Sequence, residues 1–566
     1  LYIASGSTDR IAVMDTRKRS VIAELLDPPG STTGFAPGGS TANALALSAD
    51  ETRLYVAEAD NNSVAVFALT GGRTDAPVGR MPVGWYPTAL LTAGDSLLVV
   101  SGKGRGTAPN IDGPQPGRPS PRGWRAYALG QISGTLTTLA AWPSTDALAS
   151  LTARVARANG WHTRTPLSSA YPPFQHVIYI IKENRTYDQI FGDMPQGDGD
   201  SSLVFFPRAV TPNHHALAER FGLFDRFFVN AEVSADGHNW SMAAYTTDYM
   251  QKTTPSNYSD RGRSYDYEGT NRGVIPPAGE DAAEPANGYL WDLAQRAGTT
   301  FRNYGEFVIP EGVDESEKMP AGYRGTKPFL AAHTNTEFPG YDLDITDQRR
   351  ADIWIAELQR FVREGRFPAL SILRLPNDHT SGARAGKPTP RAHMADNDLA
   401  LGRVIDAFTK TQFWKNSVIF VIEDDAQNGP DHVDSHRSPL LVISPYNRPG
   451  VNHRFANTTD VIATIAEILK LGSLSQFDFY GRPLREIFHS EPDFTPYRML
   501  TPAVDLNERN PASGPGASES EALDLRFEDS SDDELFNRIL WKTIKGERVP
   551  YPGPSRMSAL EWKRGR

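Results

Sequence analysis

Short runs of alternating apolar and polar residues fill the first part of the chain. LYIASGSTDRIAVMDT at Leu1 and LYVAEADNNSVAVFAL at Leu54 share one pattern: an alternating strand, a turn of Asp, Asn or Gly, and a second alternating strand. LLVVSGKG at Leu97 is a weaker third copy. Paired strands that recur roughly every forty to fifty residues are typical of β-propeller blades. The pattern predicts an all-β, propeller-like module over residues 1–143, with an ordinary β-meander as the alternative.

A different pattern follows Pro173. Near-continuous apolar runs, typical of strands covered on both faces, occur at 176–182, 223–229, 369–375, 417–422 and 439–444. Apolar residues at helical spacing lie between them and predict helices at 351–365, 396–410 and 458–472. Strands that alternate with helices form mostly parallel sheets. We therefore expect an α/β domain over residues 173–490, a mostly parallel sheet flanked by helices.

The remaining stretches connect or extend these two parts. Residues 144–172 read as a helix and a linker, and the Gly- and Pro-rich stretch 105–123 reads as a long loop. The polar stretch 250–345 is expected to be an insertion that caps a site. Residues 491–566 form a C-terminal extension, in which DELFNRILWKTIKG predicts a helix that docks back onto the domain.

Composition narrows the function classes. A chain of 566 residues exceeds a single core, and its net charge of −10 argues against non-specific nucleic-acid binding. The absence of cysteine excludes disulfides, thiolate metal sites and cysteine nucleophiles. No apolar run approaches the roughly 18 residues of a membrane span. Because the chain begins inside a strand pattern, we expect further residues upstream, and a periplasmic or secreted bacterial protein whose signal peptide is not visible here.

Polar side chains gather where the predicted strands end. In an open α/β sheet, ligands bind beyond the carboxyl ends of the strands, which parallel topology brings to one edge. The residues that follow the strands there are Glu183, Asn184, Asp188, Ser234, Asp236, His238, Asn377, Asp378, His379, Glu423, Asp424, Asp425, His432 and His436. Crowded carboxylates are stable when a divalent cation lies among them. Oxygen and imidazole ligands suit Zn²⁺, Mn²⁺, Mg²⁺ or Ca²⁺.

A hydroxyl beside such a cation can become a nucleophile, and Ser234 is the best placed hydroxyl in this set. Cation and nucleophile together suit phosphoryl transfer, in which charge accumulates on the non-bridging oxygens. The sequence therefore indicates a phosphoryl-transfer site at the edge of the sheet.

Three motifs carry a family resemblance. HVIYIIKENRTYDQIFGD at 176–193 resembles the opening of the bacterial phosphoesterase family that includes phospholipases C and acid phosphatases, within the alkaline phosphatase superfamily. FVIEDDAQNGPDHVDSHRSP at 420–439 resembles the second hallmark of that family, and SADGHNW at 234–240 resembles the nucleophile segment of cofactor-independent phosphoglycerate mutases. The N-terminal repeats resemble the YVTN-type β-propeller. The whole chain is thus similar to proteins that fuse such a propeller to a phosphoesterase.

The resemblance implies roles for individual residues. Ser234 would be the nucleophile, and His379 would assist the leaving group. The substrate would be bound by Asn184, Arg185 and His238. The implied metal ligands are Glu183, Asn184, Asp424, Asp425, Asp378 and His436. The acidic pair is Asp-Asp where the superfamily has Asp-His, and the first ligand is Glu rather than Asp, so the resemblance leaves one metal ion and two metal ions both open.

These observations predict a metal-dependent phosphoric-ester hydrolase that acts through a phosphoserine intermediate. Its substrate would be a phosphorylated small molecule or a phospholipid head group, and the propeller would be a scaffold or a partner-binding face. One alternative is a non-catalytic, propeller-based binding protein that holds a structural cation. Another is a phosphotransferase similar to phosphoglycerate mutase, which returns the phosphate to its substrate.

Overall fold

The structure is a computed structural model. It describes residues 1–30, 37–69, 76–107, 132–162, 171–258, 267–271, 274–312, 320–427, 429–525 and 529–552. Most of the loop predicted at 105–123 and the first residues of the linker predicted to end at 172 lie outside the described residues.

The N-terminal part is built only from antiparallel sheets in its described residues. The strand orders are β1–β2–β3, β4–β5–β6–β7 and β8–β9–β10. The strands are β1 (Tyr2–Ser5), β2 (Arg10–Asp15), β3 (Ser20–Leu26), β4 (Ala42–Leu47), β5 (Arg53–Glu58), β6 (Ser63–Ala68), β7 (Gly79–Pro82), β8 (Trp85–Ala93), β9 (Ser96–Gly104) and β10 (Thr135–Ala140).

Each sequence repeat falls in a different sheet. The first copy forms the β1–β2 hairpin and the second forms the β5–β6 hairpin, while the third copy lies in β9. Successive sheets pack together, because β4 contacts both β1 and β8. The predicted all-β module is therefore present, and its identification as part of a propeller stays a prediction. Helix α1 (Thr145–Ala158), capped by the Ser144 hydroxyl, packs against β7.

The α/β domain is centred on a five-stranded sheet of order β14–β17–β11–β18–β19. The strands of this domain are β11 (His176–Lys182), β12 (Leu223–Phe224), β13 (Phe227–Phe228), β14 (Phe301–Tyr304), β15 (Val308–Glu311), β16 (Gly322–Gly325), β17 (Leu370–Arg374), β18 (Ser417–Glu423), β19 (Leu440–Ile443), β20 (Val451–Asn452) and β21 (Ala456–Asn457). All neighbours in the central sheet are parallel except the β18–β19 pair. The mostly parallel sheet expected from the sequence is confirmed.

The observed sheet differs from the sequence prediction in two strands. The apolar run 223–229 forms only the short strands β12 and β13, which pair with β20 and β21 outside the central sheet. Polar Asp225 and Arg226 interrupt that run and divide it in two. The edge strand β14 comes from 250–345, the stretch that we expected to be only an insertion, so part of that stretch belongs to the sheet.

Helices cover both faces of the sheet. They are α2 (Tyr187–Phe191), α3 (Pro212–Phe221), α4 (Ser234–Ala243), α5 (Asp248–Asn257), α6 (Leu290–Arg296), α7 (Pro328–His333), α8 (Asp347–Glu364), α9 (Pro390–Thr409), α10 (Thr458–Leu469), α11 (Gln476–Phe479), α12 (Ala517–Ser520) and α13 (Asp533–Lys545). Side chains from β11 alternate between two cores: Ile178 and Ile180 enter one, and Tyr179 and Ile181 enter the other. Two covered faces explain the unbroken apolar strands.

The C-terminal extension returns to the domain. In α13, Phe536, Ile539 and Leu540 are buried in the same core as α8 and α9. This docking agrees with the helix expected from DELFNRILWKTIKG. Among the described helices, none combines the length and the hydropathy that a membrane crossing requires.

His393 in α9 predicts an acid-dependent loss of stability. Burial, together with nearby positive groups, lowers the pKa of His393 to about 3 from an ordinary value of 6.5. Between these pH values the unfolded chain binds a proton that the folded chain excludes. Stability is therefore fully present above pH 6.5 and falls by about 1.4 kcal/mol per pH unit towards pH 3 on account of this group.

The test compares unfolding of the wild type and His393→Gln between pH 7 and pH 4. The stability advantage of the wild type should shrink as the pH falls, because the variant has no such group to protonate. His489→Gln, at an exposed position, is the control and should follow the wild-type curve. Parallel curves for His393→Gln and wild type would contradict the prediction.

Candidate active site

Two adjacent parallel strands bring four of the predicted residues together. Lys182 and Glu423 are in register at the ends of β11 and β18. Glu183 and Asn184 therefore emerge beside Asp424 and Asp425. Asn184 takes a left-handed conformation (φ 60°), and its backbone N–H donates to Asp424 Oδ1 at 3.3 Å. Asn adopts this conformation more readily than most residues.

Ser234 joins this group as the first residue of α4. Its Oγ donates to Asp425 Oδ2 at 2.9 Å and accepts from Asn184 Nδ2 at 3.2 Å. Gly237 lets the helix approach this closely, because a Cβ there would lie 2.9 Å from the carbonyl oxygen of Asp424. The glycine of SADGHNW is thus required by the packing of α4 against the end of β18.

The site contains buried carboxylate oxygens that lack a hydrogen-bond partner. Ligand atoms of Glu183, His238 and Asp424 all lie within 4.8 Å of one another. Among the described residues, Glu183 Oε2, Asp424 Oδ2 and Asp425 Oδ1 are buried and have no hydrogen-bond partner. Buried carboxylates of this kind are costly unless a cation compensates them. The donor set, carboxylate oxygens with one imidazole, fits a divalent cation.

The pKa values of the carboxyl groups are shifted in different directions across the site. Burial raises the pKa of Asp424 well above its ordinary value, and the charge of Asp425 adds to that effect. Burial and then the charge of Asp529 likewise raise the pKa of Asp425. Burial would also raise the pKa of Glu183, but Arg374 and His238 hold it below the ordinary value. Asp424 and Asp425 are thus the carboxylates with the greatest need of a further positive charge.

The stretch 250–345 supplies acidic residues on the far side of His238. His238 Nδ1 lies 3.1 Å from Glu306 Oε2, and its Nε2 faces Glu183 and Asp424 at 3.5 Å from each. A carboxylate behind a histidine fixes the orientation of a ligating ring. Arg374 donates to Glu183 Oε1 at 2.6 Å and to Glu268 at 2.7 Å. We predicted His238 to bind substrate, and the structure places it among the candidate cation ligands.

Three other predicted site residues lie beside the cluster around Ser234 and not within it: Asp378, Arg185 and His379. Asp378 Oδ2 is 2.7 Å from the Lys182 ammonium, and Asp378 Oδ1 accepts from the Glu183 backbone N–H at 3.1 Å. A protein cation thus takes the position that we predicted for a metal ion. The Arg185 guanidinium donates to the backbone carbonyl oxygens of Asp378 and His379, and its contact with substrate stays a prediction. Burial lowers the pKa of His379, and its ring lies 5.1 Å from that of Phe536.

His436 is held elsewhere, although we predicted it to be a metal ligand. Its Nδ1 lies 3.1 Å from Thr107 Oγ1 and 3.2 Å from Asp434 Oδ1, while its Nε2 lies 4.0 Å from Glu232. These contacts place it at the N-terminal module, outside the group that contains Glu183 and Asp424.

A second acidic group is already satisfied by protein donors. Asp188, Asp431 and His432 have ligand atoms within 4.8 Å of one another. However, Arg437 donates to both carboxylates, at 3.0 Å to Asp188 Oδ1 and 2.9 Å to Asp431 Oδ1, and backbone N–H groups complete their contacts. The acidic residues of the second hallmark motif thus divide into a cation site after β18 and a hydrogen-bonded loop beyond it.

Further residues around Ser234 were not predicted. Asp529 Oδ2 accepts from the Ser234 backbone N–H at 2.8 Å, and Tyr258 and Gln427 donate to the same carboxylate. Lys103 of β9 donates to Glu232 Oε1 at 2.8 Å, directly before Ser234. Asp529, Tyr258 and Lys103 lie outside the quoted motifs, and each is brought to the site by a tertiary contact over a long separation along the chain.

One comparison with known proteins found a family match. The Phosphoesterase family matches residues 195–472. A search of curated proteins gave no significant match.

Three solved structures share similarity with the chain. A Vibrio parahaemolyticus protein of the alkaline phosphatase superfamily is 17% identical over 58% of this chain and 76% of its own, with a TM-score of 0.37. The Agrobacterium radiobacter phosphonate monoester hydrolase is 15% identical over 55% and 78%, with a TM-score of 0.33. Human ectonucleotide pyrophosphatase/phosphodiesterase 5 is 11% identical over 56% and 100%, with a TM-score of 0.34.

The Lys103–Glu232 ion pair predicts that the N-terminal module stabilises the Ser234 segment. Lys103 and Glu232 are both buried, so Lys103→Met would leave a buried carboxylate uncompensated at a cost of about 3–5 kcal/mol. Thermal unfolding should therefore occur at a lower temperature in Lys103→Met, and Lys103→Met/Glu232→Gln should recover part of the loss. Lys18→Met is the matched control, because Lys18 is exposed and its Asp15 partner lies 3.9 Å away. A Lys103→Met protein that melts like Lys18→Met would contradict the prediction.

Proposed function

We propose that the chain, whose residues 195–472 match the Phosphoesterase family, is a divalent-metal-dependent hydrolase of phosphoric esters with Ser234 as its nucleophile. The observation that carries this proposal is the position of Ser234. Its Oγ is hydrogen-bonded to Asp425 and Asn184 where three buried carboxylate oxygens lack a partner.

The residues that would hold the cation are Glu183, Asn184, Asp424 and Asp425, with His238 beside them. A bound divalent cation lowers the pKa of a neighbouring hydroxyl and offsets the charge of phosphoryl oxygens. Arg374 adds a fixed positive charge against Glu183 and lies 2.7 Å from His238 Nε2. Lys182 lies 2.7 Å from Asp378 and His436 lies apart, so we propose that the cation beside Ser234 is held without them.

In the proposed reaction, Ser234 Oγ attacks phosphorus in line with the leaving oxygen. Asp425 accepts the serine proton, since its Oδ2 already accepts the Oγ–H hydrogen bond. The Oγ–P bond forms as the bond from phosphorus to the leaving oxygen breaks, and the alcohol departs with the proton that Asp425 took up. Water then attacks phosphorus, the Oγ–P bond breaks, and phosphate is released while one water proton returns to Ser234 Oγ. His379 is the candidate for the leaving-group side. Burial keeps it neutral, which suits a hydrogen bond to the departing oxygen.

The substrate we propose is a phosphorylated small molecule or a phospholipid head group. Acidic residues from 250–345 line the rear of the site, and we propose that this stretch contributes to selectivity. The stacked antiparallel sheets support the propeller interpretation of residues 1–143, and we retain a periplasmic or secreted location as part of the proposal.

Substitution of the nucleophile is the first test. Ser234→Ala should lower kcat on an aryl phosphate by about a thousandfold or more, because no other hydroxyl replaces the attacking oxygen. Ser241→Ala is the matched control: Ser241 lies on the same helix, and its hydroxyl donates to the backbone carbonyl of Gly237. Both variants are assayed on an aryl phosphate and on its diester. Turnover by purified Ser234→Ala that equals the control would remove the proposal.

Metal removal is the second test. Dialysis against a chelator should abolish turnover, and a divalent cation should restore it. Asp424→Asn should retain less metal by elemental analysis and lower kcat by roughly a hundredfold, since it removes one ligand charge. Asp431→Asn is the control for acidic residues, because Arg437 and backbone donors already satisfy Asp431. Full activity in metal-free protein would exclude this mechanism.

A further inference from the structure

A carboxylate from the C-terminal extension lies at the N-terminus of the nucleophile helix. Asp529 is 3% exposed. Its Oδ2 accepts from the Ser234 backbone N–H at 2.8 Å and from the Tyr258 hydroxyl, and its Oδ1 accepts from Gln427 Nε2 at 2.7 Å. Three donors from three different parts of the chain thus converge on one anionic group.

The three donors are suited to phosphoryl oxygens. The N–H groups at the start of a helix carry partial positive charge and point at the ligand, which is why such ends bind phosphate. The first of them here belongs to Ser234 itself, so any phosphoryl group that reacts with Ser234 Oγ must bring its oxygens close to this N–H. Donors that are fixed before the reaction, at the place where charge develops, stabilise the transition state.

A third carboxylate at the N-terminus of α4 is electrostatically unfavourable. Asp424 and Asp425 are already buried next to it, and Asp425 Oδ1 has no hydrogen-bond partner among the described residues. A third buried carboxylate adds repulsion between like charges. The Asp529 carboxylate accepts hydrogen bonds from three donors, as a bound anion would. The same donors can bind the oxygens of a substrate phosphate.

We propose that the Ser234 N–H, Tyr258 and Gln427 form the cradle for the non-bridging oxygens of the substrate phosphoryl group, and that the Asp529 carboxylate occupies this cradle in the free protein. This inference rests on the proposed function. Asp529 is then a competitor built into the chain, and substrate binding displaces its side chain from the donors. Tyr258 and Gln427 are the two side chains through which the cradle contacts the substrate.

The test uses inorganic phosphate as the probe, with the full chain as purified with its metal. Affinity is measured by isothermal titration and as competitive inhibition of aryl phosphate hydrolysis. Asp529→Ala should bind phosphate at least about tenfold more tightly, because both the repulsion and the competing acceptor are gone. Adding Tyr258→Phe or Gln427→Ala to Asp529→Ala should weaken phosphate binding by about tenfold, the worth of a hydrogen bond to a charged group. Asp532→Asn, an exposed N-cap of α13 that keeps its capping oxygen, should bind phosphate like the wild type.

The outcomes separate this inference from the proposed function. If wild-type protein turns over but Asp529→Ala and Asp529→Asn leave phosphate affinity unchanged or weaken it, the cradle assignment is wrong and the proposed function stands. If Asp529→Asn loses its metal in elemental analysis, Asp529 is a metal ligand and the inference is overturned. If the wild type hydrolyses no phosphoric ester but Asp529→Ala still binds phosphate more tightly through Tyr258 and Gln427, the cradle stands and the proposed function fails.

Discussion

The burial of like charges at the end of the central sheet is the constraint on which this structure depends. β11 and β18 are adjacent and in register, so the acidic residues that follow them must lie side by side. Neither strand can move, because each is covered on both faces by apolar cores. The repulsion has to be offset by groups brought from elsewhere in the chain.

Some of these buried carboxylates are paired with a lysine or an arginine, and others are not. Lys182 forms ion pairs with Glu423 and Asp378 beneath the site. Further along the same motif, Arg437 satisfies Asp188 and Asp431. Around Ser234, in contrast, carboxylate oxygens remain buried without partners. Partnerless carboxylate oxygens beside the Ser234 hydroxyl are suited to hold a cation.

Every part of the chain contributes to the surroundings of Ser234. The N-terminal module inserts Lys103 against Glu232, the stretch 250–345 supplies Glu306 behind His238, and the C-terminal extension brings Asp529 to the helix end. The β-module is therefore joined to the segment that contains Ser234 through a buried ion pair. The residues around Ser234 therefore come from several of the segments that the sequence analysis treated as separate.

The sequence by itself determined the strands and helices that have unbroken or periodic apolar patterns. It placed β11, β17 and β18 within a residue of their observed ends, and it identified the residues that directly follow them, since local pattern and parallel topology suffice for both. Only the tertiary structure decided which acidic residues are neutralised by Lys182 or Arg437 and which are left for a cation. It alone revealed Asp529 and Lys103. Charge balance is set by distances between side chains far apart along the chain, and no periodicity in a sequence records such distances.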